Sequence, residues 1–503
     1  MEADQAAAAP AGSAPGEKGL KTGALGFASS VVIGVASTAP GYSLAAVLGL
    51  VAASVGFQSP AIMIVAFIPM LFIASAYYYM NRADPDCGTT FSWVTRAMGP
   101  WAGWIGGWGI VVADVIVMAN LAQIAGLYSF LLVDWQSAAD STAAVTAVGV
   151  VWIAVMTWIC VVGIELSART QVGLLGAEIF TLALFAVFAI VKVYTGDPAG
   201  SVEPELAWFS PFAIDGVGAL TSGVLLAVFI YWGWDSTVTV NEETEDSATT
   251  PGRAAIASTL ILVAIYVIVS VAAQAYGGAD QLVENSDDVL SSLGEQVFGS
   301  PWDKLLIIAV LTSAAASTQT TILPTSRTAL SMARAGAMPT RLGEIHPRHL
   351  TPHTATWLMG GLSIAWYVGL TIVSENILFD SIAALGLMIA FYYGLSGFAC
   401  VVYYRRELFK SARNLFFIGV APLIGALILT WVLIKSIIDL ADPANSESGD
   451  SWIGLGPPLV IGVGLLLFGV VLMLIQWRVR PAFFTRRPEV VDPEFAASAP
   501  GEA

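Results

Sequence analysis

Apolar stretches of membrane-spanning length follow one another along the chain with little polar sequence between them. Twelve qualify, at roughly 24–53, 60–80, 101–132, 143–163, 170–195, 214–241, 254–276, 303–332, 354–373, 377–404, 414–438 and 455–477. A straight spanning helix needs about 20 apolar residues, so the longer stretches call for tilt, interruption or projection beyond the bilayer. The pattern predicts an all-α polytopic membrane protein with about twelve transmembrane helices.

Composition agrees with that pattern. Of 503 residues, 56% are hydrophobic and 12% charged, against about 25% charged in an ordinary soluble domain. So little charge cannot cover a soluble surface of this size, and lipid is the expected solvent for most of the protein. Residues 1–22 and 479–503 read as cytoplasmic tails, the first of them disordered, flanking a single transmembrane domain over 23–478. The opening residues lack the apolar core of a signal peptide.

Charge sets the expected orientation. With the amino terminus inside, every Lys and Arg except Lys192, Lys304 and Lys435 falls at a cytoplasmic segment or helix end, as the positive-inside bias requires. The opposite loops carry Asp197, Glu203, Glu205, Asp280, Glu284, Asp287, Asp288, Glu447 and Asp450. An odd number of spans before the middle of the chain would scramble this sorting, so both ends are expected inside the cell membrane. The net charge of −16 reflects acidic outer loops and an acidic tail, with no basic stripe for nucleic acid. Cys87, Cys160 and Cys400 are too few and scattered for a disulfide framework or metal site and read as small apolar fillers.

Two spans are interrupted. The first contains Ala36-Ser37-Thr38-Ala39-Pro40-Gly41-Tyr42-Ser43, where Pro40 has no N–H and Gly41 relaxes the backbone beside it. The sixth contains Tyr231-Trp232-Gly233-Trp234-Asp235-Ser236, a glycine between two tryptophans next to an acid at membrane depth. These are corresponding positions of two five-helix halves, about 24–195 and 214–404, with helices of 414–477 as accessories. Paired broken helices point to inverted repeats with a midplane binding site. Unwound amides at a helix start suit a carboxylate, and unwound carbonyls at a helix end suit an ammonium. Tyr42, Tyr231, Trp232 and Trp234 could wall such a pocket.

Three acids sit within spans: Asp114, Glu178 and Asp235. Intramembrane carboxylates are candidates for proton binding, with a hydrogen bond to a neighbouring helix as the plainer alternative. Asn120 and Gln123 could line the same cavity or bridge helices. Trp101, Trp104 and Trp108 read as interface anchors. Glu242, Glu243 and Glu245 read as helix-end and gating contacts to arginines of neighbouring loops. His346, His349 and His353 crowd one proline-rich loop without a nearby cysteine, so no metal or other cofactor is expected.

The order and placement of several further motifs carry a family resemblance. They are Pro85-Asp86-Cys87-Gly88-Thr89-Thr90-Phe91-Ser92-Trp93 through Gly99-Pro100, Asn241-Glu242-Glu243-Thr244-Glu245-Asp246 leading to Pro251-Gly252-Arg253, Ser326-Arg327 through Met332-Ala333-Arg334-Ala335-Gly336-Ala337-Met338-Pro339, and Thr351-Pro352-His353. With the two breaks, the chain resembles the amino acid–polyamine–organocation permease superfamily, bacterial amino acid permease type, over nearly its whole length. The resemblance implies a leucine-transporter-like 5+5 inverted repeat and secondary active transport of an amino acid or related amine, commonly coupled to protons. It implies that substrate carboxylate meets Ser37, Thr38, Ala39, Pro40 and Gly41, while ammonium meets carbonyls around Phe229, Ile230 and Trp232. Family members often have Gly-Ser-Gly in the first break. Here Thr38-Ala39-Pro40 leaves fewer free amides. Glu178 lies where some proton-coupled relatives carry a lysine, so it could titrate, or bind Na⁺ with Ser317 and Thr318. Asp235 matches an acidic position common beside the sixth break.

Other classes fit less well. A membrane-embedded enzyme would need a nucleophile with its base or metal ligands at membrane depth, and neither Gly-x-Ser-x-Gly nor His-Glu-x-x-His occurs. A channel would not need paired broken helices. A carrier of polyamines or other organic cations, or an amino acid exchanger, stays open. The partners implied are a small-molecule substrate and the lipid membrane. Nothing in the sequence addresses oligomeric state.

Overall fold

The computed structural model describes residues 18–487 except 197, 287, 374–376 and 447. The acids Asp197, Asp287 and Glu447, residues 1–17 of the first tail and 488–503 of the last lie outside the described residues. Ten stretches are long and apolar enough to cross a membrane, together with the shorter apolar helix Gly216–Ile230. One of the ten, Phe27–Ala83, folds as a broken first span, Phe27–Ser37 with Pro40–Val55, and a second span, Ser59–Ala83. Counted this way the described residues form twelve spans, matching the apolar pattern.

The remaining spans are Pro100–Leu132, Thr142–Val162, Ile164–Gly196, the sixth starting at Gly216, Thr250–Glu284, Lys304–Arg334, His353–Val373, Ile377–Tyr403, a span ending in Ala421–Asp439, and Pro457–Val479. The third, of 33 residues, would be about 50 Å long at 1.5 Å per residue. It packs along the eighth, and the eighth also touches the first and fifth. The eighth is buried over nearly all its length, including Ser317, Thr318 and Arg327. Such a helix is enclosed by protein rather than lipid. The fourth, by contrast, turns Val151, Val155 and Trp158 outward.

Both breaks have local causes. Without an N–H at Pro40, the first half-helix cannot continue. Its last turn tightens instead, with Thr38 N–H donating to Val35 O and Ala39 N–H to Ala36 O, both at 3.2 Å. Ala39 then takes left-handed angles, φ 48° and ψ 63°, and Pro40 opens the second half, the helix position proline tolerates best. In the sixth span the helix ends at Ile230 and resumes only as the short turn Ser236–Thr239. Gly233 between them has φ 115°, which a side chain would resist.

Two expectations need correction. Residues 18–22 are seated rather than loose, since Lys18 and Leu20 are buried. Trp104 and Trp108 are not interface anchors. The indole N–H of Trp104 reaches Ala337 O at 3.0 Å and that of Trp108 reaches Leu465 O at 2.9 Å, so both pack between helices, and only Trp101 is exposed. Asn120 and Gln123 bridge helices, Asn120 donating to Ser381 Oγ at 2.5 Å and Gln123 accepting from Tyr367 at 2.7 Å.

Candidate functional site: the cavity between the two breaks

The two interrupted segments touch directly. A side chain on Gly233 would place its Cβ 2.6 Å from the carbonyl oxygen of Ser37, and the hydroxyls of Ser37 and Ser236 share a hydrogen bond of 2.8 Å. From the eighth span, Ser317 Oγ donates to the same Ser37 carbonyl at 2.9 Å. Beside this junction lies a small cavity of about 10 Å³, lined by Ser37, Thr38, Ala39, Tyr42, Ser43, Val117, Leu121, Phe229, Trp232 and Ser317. That is room for about one water, so the helices are drawn in around it.

Five of the expected binding residues, Ser37, Thr38, Ala39, Phe229 and Trp232, line this cavity. Six do not. Pro40 is not among the lining residues, and Gly41 turns away: a Cβ there would meet Ala309 O, Glu178 Oε1 and Ser313 Cβ, on the fifth and eighth spans. The Ile230 carbonyl accepts the Tyr266 hydroxyl at 2.5 Å. Tyr231 is held between Tyr266 and Phe67 with its hydroxyl on Met63 O. Trp234 packs against Tyr77 and Tyr393. The reason is geometric. A turn such as Tyr231–Asp235 sends successive side chains in different directions, so neighbours in sequence cannot all face one space.

Asp235 stands behind the cavity wall. Its carboxylate accepts the hydroxyls of Tyr393 at 2.8 Å and Tyr392 at 3.2 Å, while the indole N–H of Trp232 donates to Tyr392 at 2.5 Å. A buried carboxylate thereby holds, through one tyrosine, an aromatic ring that lines the cavity. Tyr42 meets Phe229 edge to face at 6.5 Å and has a buried hydroxyl without a protein partner. Val117 and Leu121 were not singled out from the sequence. They sit among apolar neighbours of the third span, where nothing but tertiary packing marks them.

The remaining coupling candidates separate. Glu178 Oε1 accepts the Gly41 amide at 2.7 Å, and its other oxygen is buried without a partner. Its hydroxyl neighbour at Gly41 is Ser313, while Thr318 donates to Ala314 O of its own helix at 2.8 Å and Ser317 to the Ser37 carbonyl. Asp114 accepts the Thr325 hydroxyl, the plain helix-bridging role.

At the end of the molecule richest in Lys and Arg the chain is tied shut. Arg327 makes a bidentate pair with Glu243, Nε to Oε2 at 2.8 Å and Nη2 to Oε1 at 2.9 Å, with both side chains fully enclosed. Lys18 Nζ reaches Asp86 at 2.8 Å and Glu242 at 2.7 Å, and Ala24 and Leu25 donate backbone bonds to Glu243 O. Glu242 thus meets a lysine of the amino-terminal segment rather than an arginine, and Glu245 joins through its backbone N–H to Leu25 O at 2.8 Å. Burial disfavours the charge on Lys18, but Asp86, Cys87 and Glu242 outweigh it and hold the ammonium well above its usual range. Asp86, equally buried, is pulled well below the usual carboxylate range by Lys18 and by hydrogen bonds from Ser331 and Gly88. Asp86, Cys87 and Glu242 also cluster as metal ligands would, but the Lys18 ammonium already sits among them. The three cysteines are buried and free. His346 stacks with His349 at 4.5 Å and meets His353 at 5.3 Å. Its Nδ1 accepts the Arg348 and His349 amides, which makes it a turn-former rather than an open ligand.

The profile of the family described as amino acid permease matches residues 23–468. The chain belongs to the amino acid permease family. Among its relatives are the branched-chain amino acid permease BcaP of Bacillus subtilis (strain 168), 24% identical over 60% of this chain and 65% of the relative, and an uncharacterized transporter of Mycobacterium tuberculosis (strain ATCC 25618 / H37Rv), 26% identical over 80% and 82%. A third is the Asc-type amino acid transporter 1 of Homo sapiens, 24% identical over 60% and 57%. The permease thus spans less than two thirds of the length of the first and third of these. Membership sets aside the membrane-embedded enzyme, and with the candidate spans it makes the chain a multi-pass membrane protein.

Proposed function

We propose that this permease carries a neutral amino acid, or a related amine, across the cell membrane by alternating access coupled to protons. The observation that carries the reading is one cavity shared by two broken helices and lined by no charged side chain. A cationic or anionic side chain would have no counter-charge there, and an uncompensated charge is costly in such a place. The aliphatic and aromatic wall of Val117, Leu121, Phe229 and Trp232 suits an apolar side chain, and the family membership and the amino acid transporters among its relatives point the same way. Under the positive-inside bias the basic end, closed by Arg327–Glu243 and Lys18, faces the cytoplasm with both termini. Alternating access is supported by two broken segments that meet at Gly233, Ser37 and Ser236, a junction whose parts can separate as the half-helices move. Proton coupling rests on Glu178, whose enclosed, half-partnered carboxylate is the candidate carrier of the proton.

The test is uptake of labelled neutral amino acids into proteoliposomes under an imposed proton gradient, with and without sodium. Saturable uptake that follows the proton gradient and ignores sodium is expected. Uptake that requires sodium would end the proton assignment, and non-saturable flux would end the carrier reading.

A further inference from the structure

Past the end of the twelfth span the chain turns at Arg480, and Pro481–Phe484 folds back onto the core. Phe483 and Phe484 are only 2% and 6% exposed. The Phe483 ring stacks on Phe91 at 5.8 Å, in the short helix Thr90–Met98 ahead of the third span, and Phe484 meets Trp101 at 4.7 Å. Met332 of the eighth span belongs to the same apolar patch. Arg486 Nη2 donates to Ala335 O at 2.8 Å. Ala335 caps the eighth span, where helix carbonyls lack intrahelical partners and an arginine is well suited to take them. The same two stretches carry the Lys18 lock. Asp86 Oδ1 accepts Ser92 Oγ at 2.8 Å and Ser331 Oγ at 2.7 Å while it pairs with Lys18. Ser92 follows Phe91, and Ser331 precedes Met332.

We infer that the segment Pro481–Arg486 is a strap that positions the Lys18 lock: Phe483 and Arg486 fix Phe91 and the end of the eighth span, whose neighbours Ser92 and Ser331 hold Asp86 against the ammonium. Lys18 and Asp86 are both buried, so each depends on partners that the protein fixes rather than on water. Releasing the strap frees both hydroxyl donors to Asp86 together. Arg334, in the last turn of the eighth span, donates to Lys18 O at 3.3 Å, which ties the amino-terminal segment to the helix end that Arg486 covers. One helix end thereby fastens segments from both termini. Phe483 and Arg486 are positioning residues, acting on the lock through the residues between. None of them lines the cavity, so the strap works in the same way whichever solute and coupling ion the permease uses.

Cys87 reports on the lock, because its buried thiol lies 3.5 Å from Lys18 Nζ. Maleimide labelling is followed on full-length permease in lipid nanodiscs, in one background that keeps only Cys87 (Cys160→Ala, Cys400→Ala) and one that keeps only Cys400 (Cys87→Ala, Cys160→Ala). Cys400 is equally buried and lies in the tenth span. Phe483→Ala with Arg486→Ala should raise Cys87 labelling about tenfold or more, the scale of a lost hydrogen bond in a local opening equilibrium. Cys400 labelling should stay within about twofold of the parent, since that opening is local. Arg486→Lys, which keeps a cationic donor for Ala335 O, should label as the parent does. Unchanged Cys87 labelling in the folded double variant would overturn the inference. An equal rise at both cysteines would overturn it too, because that is general loosening. If the double variant does not fold, Arg486→Gln alone is read by the same two outcomes.

Discussion

Gly233 and Ser37 approach so closely that a Cβ on the glycine would sit 2.6 Å from the serine's carbonyl oxygen. Two helices interrupted far apart in sequence are in close contact at this point, so the geometry of each break depends on the other. Gly233→Ala combines that clash with a left-handed φ of 115°. It should cost more than about 1 kcal/mol and push the breaks apart. Loss of uptake with a lowered unfolding temperature is expected. Normal uptake would show that the contact does not hold in the transporting protein.

Asp235 acts through Tyr392 on Trp232. Asp235→Asn and Tyr392→Phe should therefore both weaken substrate affinity while leaving the folded protein in the membrane. The loss for Asp235→Asn should approach the roughly 1.5–3 kcal/mol of hydrogen bonds to a charged group, about tenfold or more in KM. A double variant should cost little more than either single change, because the residues form one chain of contacts. Additive losses would separate Asp235 from the aromatic wall.

Arg327 and Glu243 are enclosed together, so removing one strands the other. Arg327→Ala should destabilise by about 3–5 kcal/mol, read as a fall in unfolding temperature. Replacing both with apolar residues of similar volume should restore most of that stability while leaving the basic end without its fixed pairing. Equal damage from the single and double changes would argue against a stranded charge as the cause.

Lys18 binds the amino-terminal segment to Asp86 and Glu242, and its pH dependence has a definite sign. The lysine is raised in the folded state, so its contribution is complete below the ordinary value near 10.4 and lost as pH climbs through the folded value. Asp86 is depressed, so its contribution is present above about 3.9 and lost as pH falls through the folded value. The fastening should hold across roughly pH 5 to 9. Lys18→Ala should release it at neutral pH and expose the buried Cys87 to a maleimide reagent. Unchanged thiol reactivity would place the closure elsewhere.

How much was legible in the sequence differs between the spans and the site. Apolar length and the sorting of Lys and Arg were enough for twelve spans. Pro40 and Gly233 marked the breaks because a missing N–H and a positive φ are properties of single residues. Lys18 gave no such signal, because its burial depends on acids contributed by two distant loops. The same is true of Val117 and Leu121, which differ from their apolar neighbours only in what they face.

Residue chemistry along the chain thus determined that this protein lives in lipid, how many times it crosses, and where two crossings fail. Which atoms face the resulting hollow was decided by packing alone. An amide at Gly41 reads from sequence as free to take a ligand, and is not, because a fifth-span carboxylate 137 positions later folds back onto it. Local bonding rules act over a few residues, whereas the partner of a buried polar group is chosen by whichever helix tertiary packing brings within about 3 Å.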